Sequence, residues 1–211
     1  MERERSYEQT NRKTGFKHKR FYHRYFQGYT EVRVKKPNGR YHIERVYTAP
    51  WKQHDLERSR WVLLKVLYPV LALLAAACIA VSMAVDALSN YVWFVIIPGV
   101  ASFLSAFLLC VYALSYLTKP RKMTLGEYTG AVRGIRRAAL VTLVCAGVTA
   151  LAKIVSALWL GAFESGNEWK AILPMLLAAA GAAAVYFTEK RVKYLDIPNN
   201  PSKPINGEEI W

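Results

Sequence analysis

Four long apolar runs dominate the pattern of hydrophobic and polar residues along this chain. They cover about residues 61–85, 91–117, 138–163 and 169–187, and polar segments separate them. At a helical rise of about 1.5 Å per residue, runs of about 20 residues cross a hydrocarbon core about 30 Å thick. We therefore predict an all-α membrane protein in which residues 61–188 form a bundle of four transmembrane helices.

A different pattern, with alternating polar and apolar residues, precedes the first run. The segments 29–36 and 40–48 are typical of β-strands, and Asn38-Gly39 between them is a strong signal for a tight hairpin turn. We expect a hairpin over residues 29–48 within a small cytoplasmic N-terminal region, residues 1–60. After the bundle, the proline-containing residues 189–211 predict a flexible cytoplasmic tail.

A two-residue turn at Asn38-Gly39 predicts the pairing of the hairpin. Val34 would lie opposite Ile43, Arg33 opposite Glu44 and Val32 opposite Arg45, and one face would be mostly apolar. An isolated hairpin is marginally stable in water, so this face needs a cover. The membrane surface, the protein's own loops and a partner subunit remain open as covers. For a partner subunit we assign the docking residues Val32, Val34, Ile43 and Tyr47.

Charge then predicts the orientation of the four helices. The formal net charge is +14, from 29 Lys and Arg against 15 Asp and Glu. Basic residues concentrate in residues 1–60, in 118–137 and after residue 187, whereas the connections 86–90 and 164–170 contain few. By the positive-inside rule, both termini are cytoplasmic. We assign the protein, by default, to the inner (cytoplasmic) membrane of the cell.

Three arginines precede the third run at helical spacing. Arg133, Arg136 and Arg137 share one face of a helix by the i, i+3, i+4 rule. They are either a topology anchor or a site for an anionic lipid headgroup, and the anchor is the simpler interpretation because the charge is already needed for topology.

Lys153 is the one charged residue inside the third run. It lies ten residues before Phe163, about 15 Å along a helix, so its ammonium is far from either membrane surface. Thr142, Thr149 and Ser156 share its face, and such a face belongs in the bundle interior rather than in lipid. We predict an intramembrane polar site composed of Lys153, Thr149, Ser156 and Ser102.

The sequence offers few groups that could receive this ammonium. Asp86, Glu164 and Glu168 lie at the outer ends of the runs. Pro98 lacks an amide donor and therefore frees the carbonyl of Phe94, which we expect to be an acceptor. An acidic group from another subunit and a neutral lysine are the alternatives.

The remaining residue patterns point away from enzymatic chemistry. The chain contains no phosphate-binding glycine loop, catalytic triad or metal-ligand spacing, and its three cysteines lie one in each of three apolar runs. We therefore assign no catalytic, cofactor-binding or metal-binding residue and expect no enzyme. The aromatic and basic residues 20–29 favour contact with lipid headgroups over stacking on nucleic acid.

Two functions remain open at this point. The first is a non-enzymatic accessory, scaffold or assembly subunit of a membrane complex. The second is a small oligomeric transporter or channel that uses Lys153 to attract anions or relay protons. The expected partners are membrane lipids with anionic headgroups on the cytoplasmic side, together with other membrane subunits or further copies of this chain; nucleic acid is disfavoured.

Overall fold

Four long helices account for most of the structure. The computed structural model describes residues 27–35, 41–164 and 166–199. Each of the four helices is long and apolar enough to cross a membrane, as the runs predict. In chain order they are α1 (Arg58–Ala84), α2 (Trp93–Leu117), α3 (Arg133–Trp159) and α4 (Gly166–Arg191).

The chain divides into two compact units. The helical unit contains His54–Arg121 and Glu127–Tyr194. The second unit contains the described residues up to Gln53, together with Lys122–Gly126 and the described residues from Leu195 onward.

Within the helical unit, consecutive helices pack against each other and α4 returns to α1. The four helices therefore form a closed bundle. The connections α1–α2 and α3–α4 are short, so these helix pairs run antiparallel. Both connections lie at one end of the bundle, which we call the connection end. The opposite end, where α1 and α3 begin and α2 and α4 finish, we call the terminal end.

Small residues fill much of the bundle interior, and most of the large apolar residues cover its exterior. Ala72, Ala106, Ala146, Ala178 and Ala182 are among the interior residues, with exposed fractions of 0%. The exterior carries side chains that are more than half exposed, among them Leu63, Leu73, Phe107, Leu151 and Leu177. A water-soluble bundle buries its large aliphatic side chains. The reverse arrangement suits helices that approach closely in lipid.

The third and fourth helices differ in their bounds from the predicted runs. The basic cluster at Arg133 is itself helical, and the short helical turns Leu125–Glu127 and Tyr128–Val132 precede it. α3 ends at Trp159 rather than at residue 163. Two residues after this end, Gly161 adopts a positive φ of 63°. Glycine tolerates that conformation without a steric penalty, so it ends the helix.

The predicted flexible tail over residues 189–211 is wrong in its first part. α4 continues to Arg191, with Lys190 and Arg191 in its last turn, where cations interact favourably with the helix dipole. Tyr194–Ile197 then form a strand, β5. The tail from residue 200 onward lies outside the described residues.

The hairpin exists, but its register differs from the predicted one. β1 (Tyr29–Lys35) pairs antiparallel with β2 (Tyr41–Tyr47), and Val34 lies opposite His42, Arg33 opposite Ile43 and Val32 opposite Glu44. The described part of the first strand ends at Lys35, and that of the second begins at Tyr41. The predicted turn at Asn38-Gly39 lies outside the described residues.

A register shift of one residue changes which residues share a face. Directly paired residues lie on the same face of a ladder, so Val32 and Val34 share a face with Glu44 and His42. Ile43 and Tyr47 lie on the opposite face. The predicted docking residues therefore do not form one continuous apolar face.

Tyr47 is engaged within its own unit. Its residue is 3% exposed, and its ring lies against Tyr29 and Trp51, with ring centres 5.1 and 4.8 Å away. Its hydroxyl donates to the Pro50 carbonyl at 3.0 Å and accepts the Leu125 N–H at 2.9 Å. These contacts make Tyr47 part of a local core rather than a docking surface.

The structure also contains a three-stranded sheet, which the sequence does not predict. β3 (Trp51–His54) lies between β4 (Lys122–Met123) and β5, and it pairs antiparallel with β4. The Lys52 ammonium forms an ion pair with Asp196 of β5. The three strands come from distant parts of the chain, so no local pattern of a hairpin marks them.

Two glycines of α3 test how closely the helices pack. A Cβ at Gly134 would lie 2.5 Å from the Tyr112 ring of α2, whereas at Gly147 it would meet nothing within 4 Å. Gly147→Ala should raise the free energy of unfolding by about 0.5–1 kcal/mol, since alanine is the better helix former. Gly134→Ala should raise the free energy of unfolding by less than this, or lower it, because the Tyr112 ring must move to make room for the new methyl group. Thermal unfolding in detergent measures both, and an equal gain would contradict the close approach.

Candidate functional site

Lys153 is fully buried at the connection end of the bundle. Its residue has an exposed fraction of 0%, and its ammonium donates to the Ser82 carbonyl on α1 at 3.1 Å. It also donates to Oδ1 of Asn90 in the α1–α2 connection. These acceptors differ from the predicted one, the Phe94 carbonyl. The lysine therefore joins α3 to the end of α1.

Asn90 completes this arrangement by capping α1. Its amide nitrogen donates to the carbonyls of Ser82 and Val85 at 3.1 and 2.7 Å. The last carbonyls of a helix lack partners within the helix, so a side-chain donor stabilises them. The Ser82 hydroxyl in turn donates to the Ala171 carbonyl of α4 at 2.5 Å. Asn90, Ser82 and Lys153 thus connect α1, α3 and α4, and we call these three residues the Lys153 cluster.

Glu168 lies beside the Lys153 cluster in the first turn of α4. It is 1% exposed, accepts the Ser89 N–H at 3.2 Å and interacts electrostatically with Lys153. The sequence pattern places Glu168 at the outer end of the fourth run, and it does not identify this residue as a buried countercharge for Lys153. Its second carboxylate oxygen and the Ser89 hydroxyl are buried without a hydrogen-bond partner among the described residues.

The other predicted members of the polar site are buried but bind elsewhere. Ser102, Thr149 and Ser156 have exposed fractions of 0%. The hydroxyls of Ser102 and Thr149 share a hydrogen bond of 2.9 Å between α2 and α3. The Ser156 hydroxyl donates to the Ala152 carbonyl of its own helix at 2.8 Å. The structure therefore joins Ser102 to Thr149 and gives Lys153 a separate set of partners.

A second buried polar cluster at the terminal end was not predicted. Glu189 is 3% exposed, and its two carboxylate oxygens accept hydrogen bonds from the hydroxyls of Tyr68 at 2.7 Å and Tyr194 at 2.5 Å. Tyr68 belongs to α1, and Tyr194 follows α4. We call Glu189, Tyr68, Tyr194, Tyr116 and His54 the Glu189 cluster.

His54 extends the Glu189 cluster outside the helices. Its Nε2 lies 3.4 Å from the Tyr116 hydroxyl, and its ring lies 4.6 Å from that of Tyr194. Burial lowers the pKa of His54 to about 4, and the charges of Arg121 and Lys65 act in the same direction. His54 is therefore neutral at pH 7. Burial and the Glu189 carboxylate raise the pKa of Tyr194, so its hydroxyl remains a donor.

The three arginines at the start of α3 are all exposed. The guanidinium carbon of Arg133 lies 5.7 Å from the centre of the Tyr128 ring, and that of Arg136 lies 5.8 Å from the centre of the Tyr186 ring. Both distances are within the range of a cation–π interaction. The tyrosine partners were not predicted, since Tyr186 is far from these arginines in sequence.

The described residues contain no group of three or more His, Cys, Asp or Glu side chains that could hold a metal ion. Cys78, Cys110 and Cys145 are partly exposed thiols on three different helices. The chain matches no protein-family model, no curated protein and no solved structure. Its function must therefore be inferred from its own geometry.

The hydrogen bond between Lys153 and Asn90 can be tested with two substitutions of similar size. Asn90→Leu leaves the buried ammonium with one acceptor fewer and should lower the free energy of unfolding by about 1–3 kcal/mol. Adding Lys153→Met removes the stranded charge, so the double variant should be more stable than Asn90→Leu alone. Thermal unfolding in detergent of all four proteins gives the coupling energy. Additive effects of the two substitutions would contradict a direct interaction.

Proposed function

We propose that this chain is a multi-pass integral membrane protein and a non-enzymatic accessory, scaffold or assembly subunit of a membrane complex. The single observation that carries the membrane assignment is the arrangement of the bundle, with mostly small and polar residues inside and most of the large apolar side chains outside. An exterior of this kind is compatible with lipid and would aggregate in water.

The hydrogen bonds of the interior support a structural role over a transport pathway. Ser105, Thr142 and Ser156 each donate to a backbone carbonyl of their own helix at 2.8–2.9 Å. Hydroxyls that are satisfied in this way do not need water or a solute as a partner. The Lys153 ammonium likewise binds acceptors of this chain, which suits a group that fixes the helices in place.

The distribution of surface residues supports the proposed orientation. At the terminal end, the exposed residues include Arg58, Arg60, Arg133, Arg136, Arg137, Lys190 and Arg191. At the connection end, Tyr91, Trp93 and Trp159 are 71–75% exposed, as expected for aromatic residues at a membrane–water interface. We propose that the terminal end and both chain termini are cytoplasmic, and that the membrane is the inner (cytoplasmic) membrane.

Cysteine labelling tests this orientation. In a variant whose three native cysteines are replaced by alanine, Leu88→Cys and Leu160→Cys should react with a membrane-impermeant thiol reagent added to intact cells, because both positions are exposed at the connection end. Lys190→Cys should react only after the cells are opened. Labelling of Lys190→Cys in intact cells would reverse the proposed topology.

We propose that the hairpin docks a partner subunit through the face that contains Val32 and Val34. The opposite face contains Tyr47, whose ring is already covered by Tyr29 and Trp51. The register leaves Val32 and Val34 together on the other face, so these two of the four predicted docking residues remain in the proposal.

Co-purification in mild detergent tests the scaffold function. Val34→Asp should lose partner subunits that co-purify with the wild-type protein, while membrane insertion persists, because a carboxylate replaces one of the two valines through which this face would contact the partner. Lys35→Asp is the control: it lies on the opposite face and changes the charge by two units, so it should retain the partners. Equal retention by the two variants would remove the hairpin from the docking proposal.

One observation favours the second candidate function, a small oligomeric transporter or channel. Lys153 and Glu168 place opposite charges inside the bundle, and an oxygen of Glu168 is buried without a partner among the described residues. Intramembrane ionisable groups of this kind serve in anion attraction and proton relay. In proteoliposomes, a transporter with Lys153→Met would keep its oligomer and lose flux, whereas a scaffold would show no flux in either form.

A further inference from the structure

One face of α3 changes from basic to apolar along its length. Arg133, Arg136 and Arg137 are exposed at its start. Leu140, Val141 and Val144 follow at helical spacing and are 40%, 51% and 56% exposed. On the neighbouring α4, Phe187 is 52% exposed. A cationic group thus adjoins an extended apolar surface, which is the complement of an amphiphile with a negative headgroup.

Aromatic rings from two other segments lie within cation–π range of two of the guanidinium groups. The centre of the Tyr128 ring, in the helical turn before α3, lies 5.7 Å from the guanidinium carbon of Arg133, and that of Tyr186 on α4 lies 5.8 Å from the guanidinium carbon of Arg136. A guanidinium that is attracted to a ring face samples fewer orientations, so it loses less freedom when it binds a ligand. Its N–H groups match the oxygens of a phosphate in a bidentate arrangement.

We propose that this face of α3 is a binding site for an anionic phospholipid of the cytoplasmic leaflet. The phosphate binds Arg133 and Arg136, Arg137 contributes positive charge, and an acyl chain lies along Leu140 and Val144. The inference rests on the membrane placement proposed above, and it adds a specific lipid site to that placement.

A topology anchor and a lipid site make different demands on these residues. The positive-inside rule counts charge, so lysine and arginine serve it equally. A bidentate phosphate site needs the planar guanidinium, and lysine is a poor substitute there. Replacement of arginine by lysine therefore separates the two interpretations without changing the charge of the protein.

The experiment uses the full-length protein purified in mild detergent and native mass spectrometry with added lipid. Phosphatidylglycerol and phosphatidylcholine with identical acyl chains are the two probes. The wild-type protein should retain phosphatidylglycerol preferentially. The double variant Arg133→Lys, Arg136→Lys should bind it about tenfold more weakly, since an ammonium cannot make the bidentate contacts of a guanidinium with the phosphate.

The matched control is the double variant Arg58→Lys, Arg60→Lys. These arginines are also exposed, lie at the same end of the bundle and undergo the same chemical change. Their replacement should alter phosphatidylglycerol binding less than about twofold, because a pair of conservative surface changes leaves the field of the protein unchanged. Tyr186→Leu keeps every charge and should weaken binding about threefold by releasing Arg136.

Three results would overturn the lipid site: equal retention of the two lipids by the wild-type protein, wild-type affinity in the Arg133 and Arg136 variant, or equal losses in the test and control variants. All of the substituted arginines are exposed, so the thermal midpoint should stay constant and loss of fold does not confuse the result. Failure of the membrane assignment is distinguishable, because the protein would then be missing from the membrane fraction altogether.

Discussion

A buried ammonium group places the strictest demand on this structure. Removing a charge from water is costly unless hydrogen bonds replace those to solvent, and lipid offers none. Lys153 meets this demand with the Ser82 carbonyl and the Asn90 side chain, and Glu168 supplies an opposite charge. Because these partners come from different segments, the helices must be assembled correctly before the charge is satisfied. The lysine thereby specifies one arrangement of α1, α3 and α4.

At the terminal end of the bundle, neutral hydroxyl donors satisfy a second buried ionisable group. The Glu189 carboxylate is satisfied by two tyrosine hydroxyls, one from α1 and one from the segment after α4. If one of these donors is removed, the carboxylate stays buried with one hydrogen bond fewer, and its desolvation cost is not offset. Loss of either tyrosine should therefore lower the free energy of unfolding more than loss of an exposed tyrosine would. Between the two polar clusters the interior is mainly alanine, which lets the helices approach closely but distinguishes poorly among alternative packings. The clusters supply that specificity.

The two proposals assign different tasks to different surfaces. The hairpin face with Val32 and Val34 is the candidate for a protein partner, and the basic start of α3 is the candidate for a phospholipid. The buried clusters support the lipid proposal indirectly, because they fix the helices of the bundle and α3 carries that surface. Under these two proposals the interior is structural, and recognition occurs at the exterior.

The amino-acid sequence by itself determined the four apolar helices and the inward face of α3, since run length and helical spacing are local properties. It also indicated a hairpin, but the tertiary structure decided the register, which shifts by one residue from the pairing that a two-residue turn requires. Only the tertiary structure could identify Asn90 as a partner of Lys153, or Tyr194 as a partner of Glu189. Such contacts depend on how separate segments meet, and the periodicity of any single segment carries no record of its neighbours.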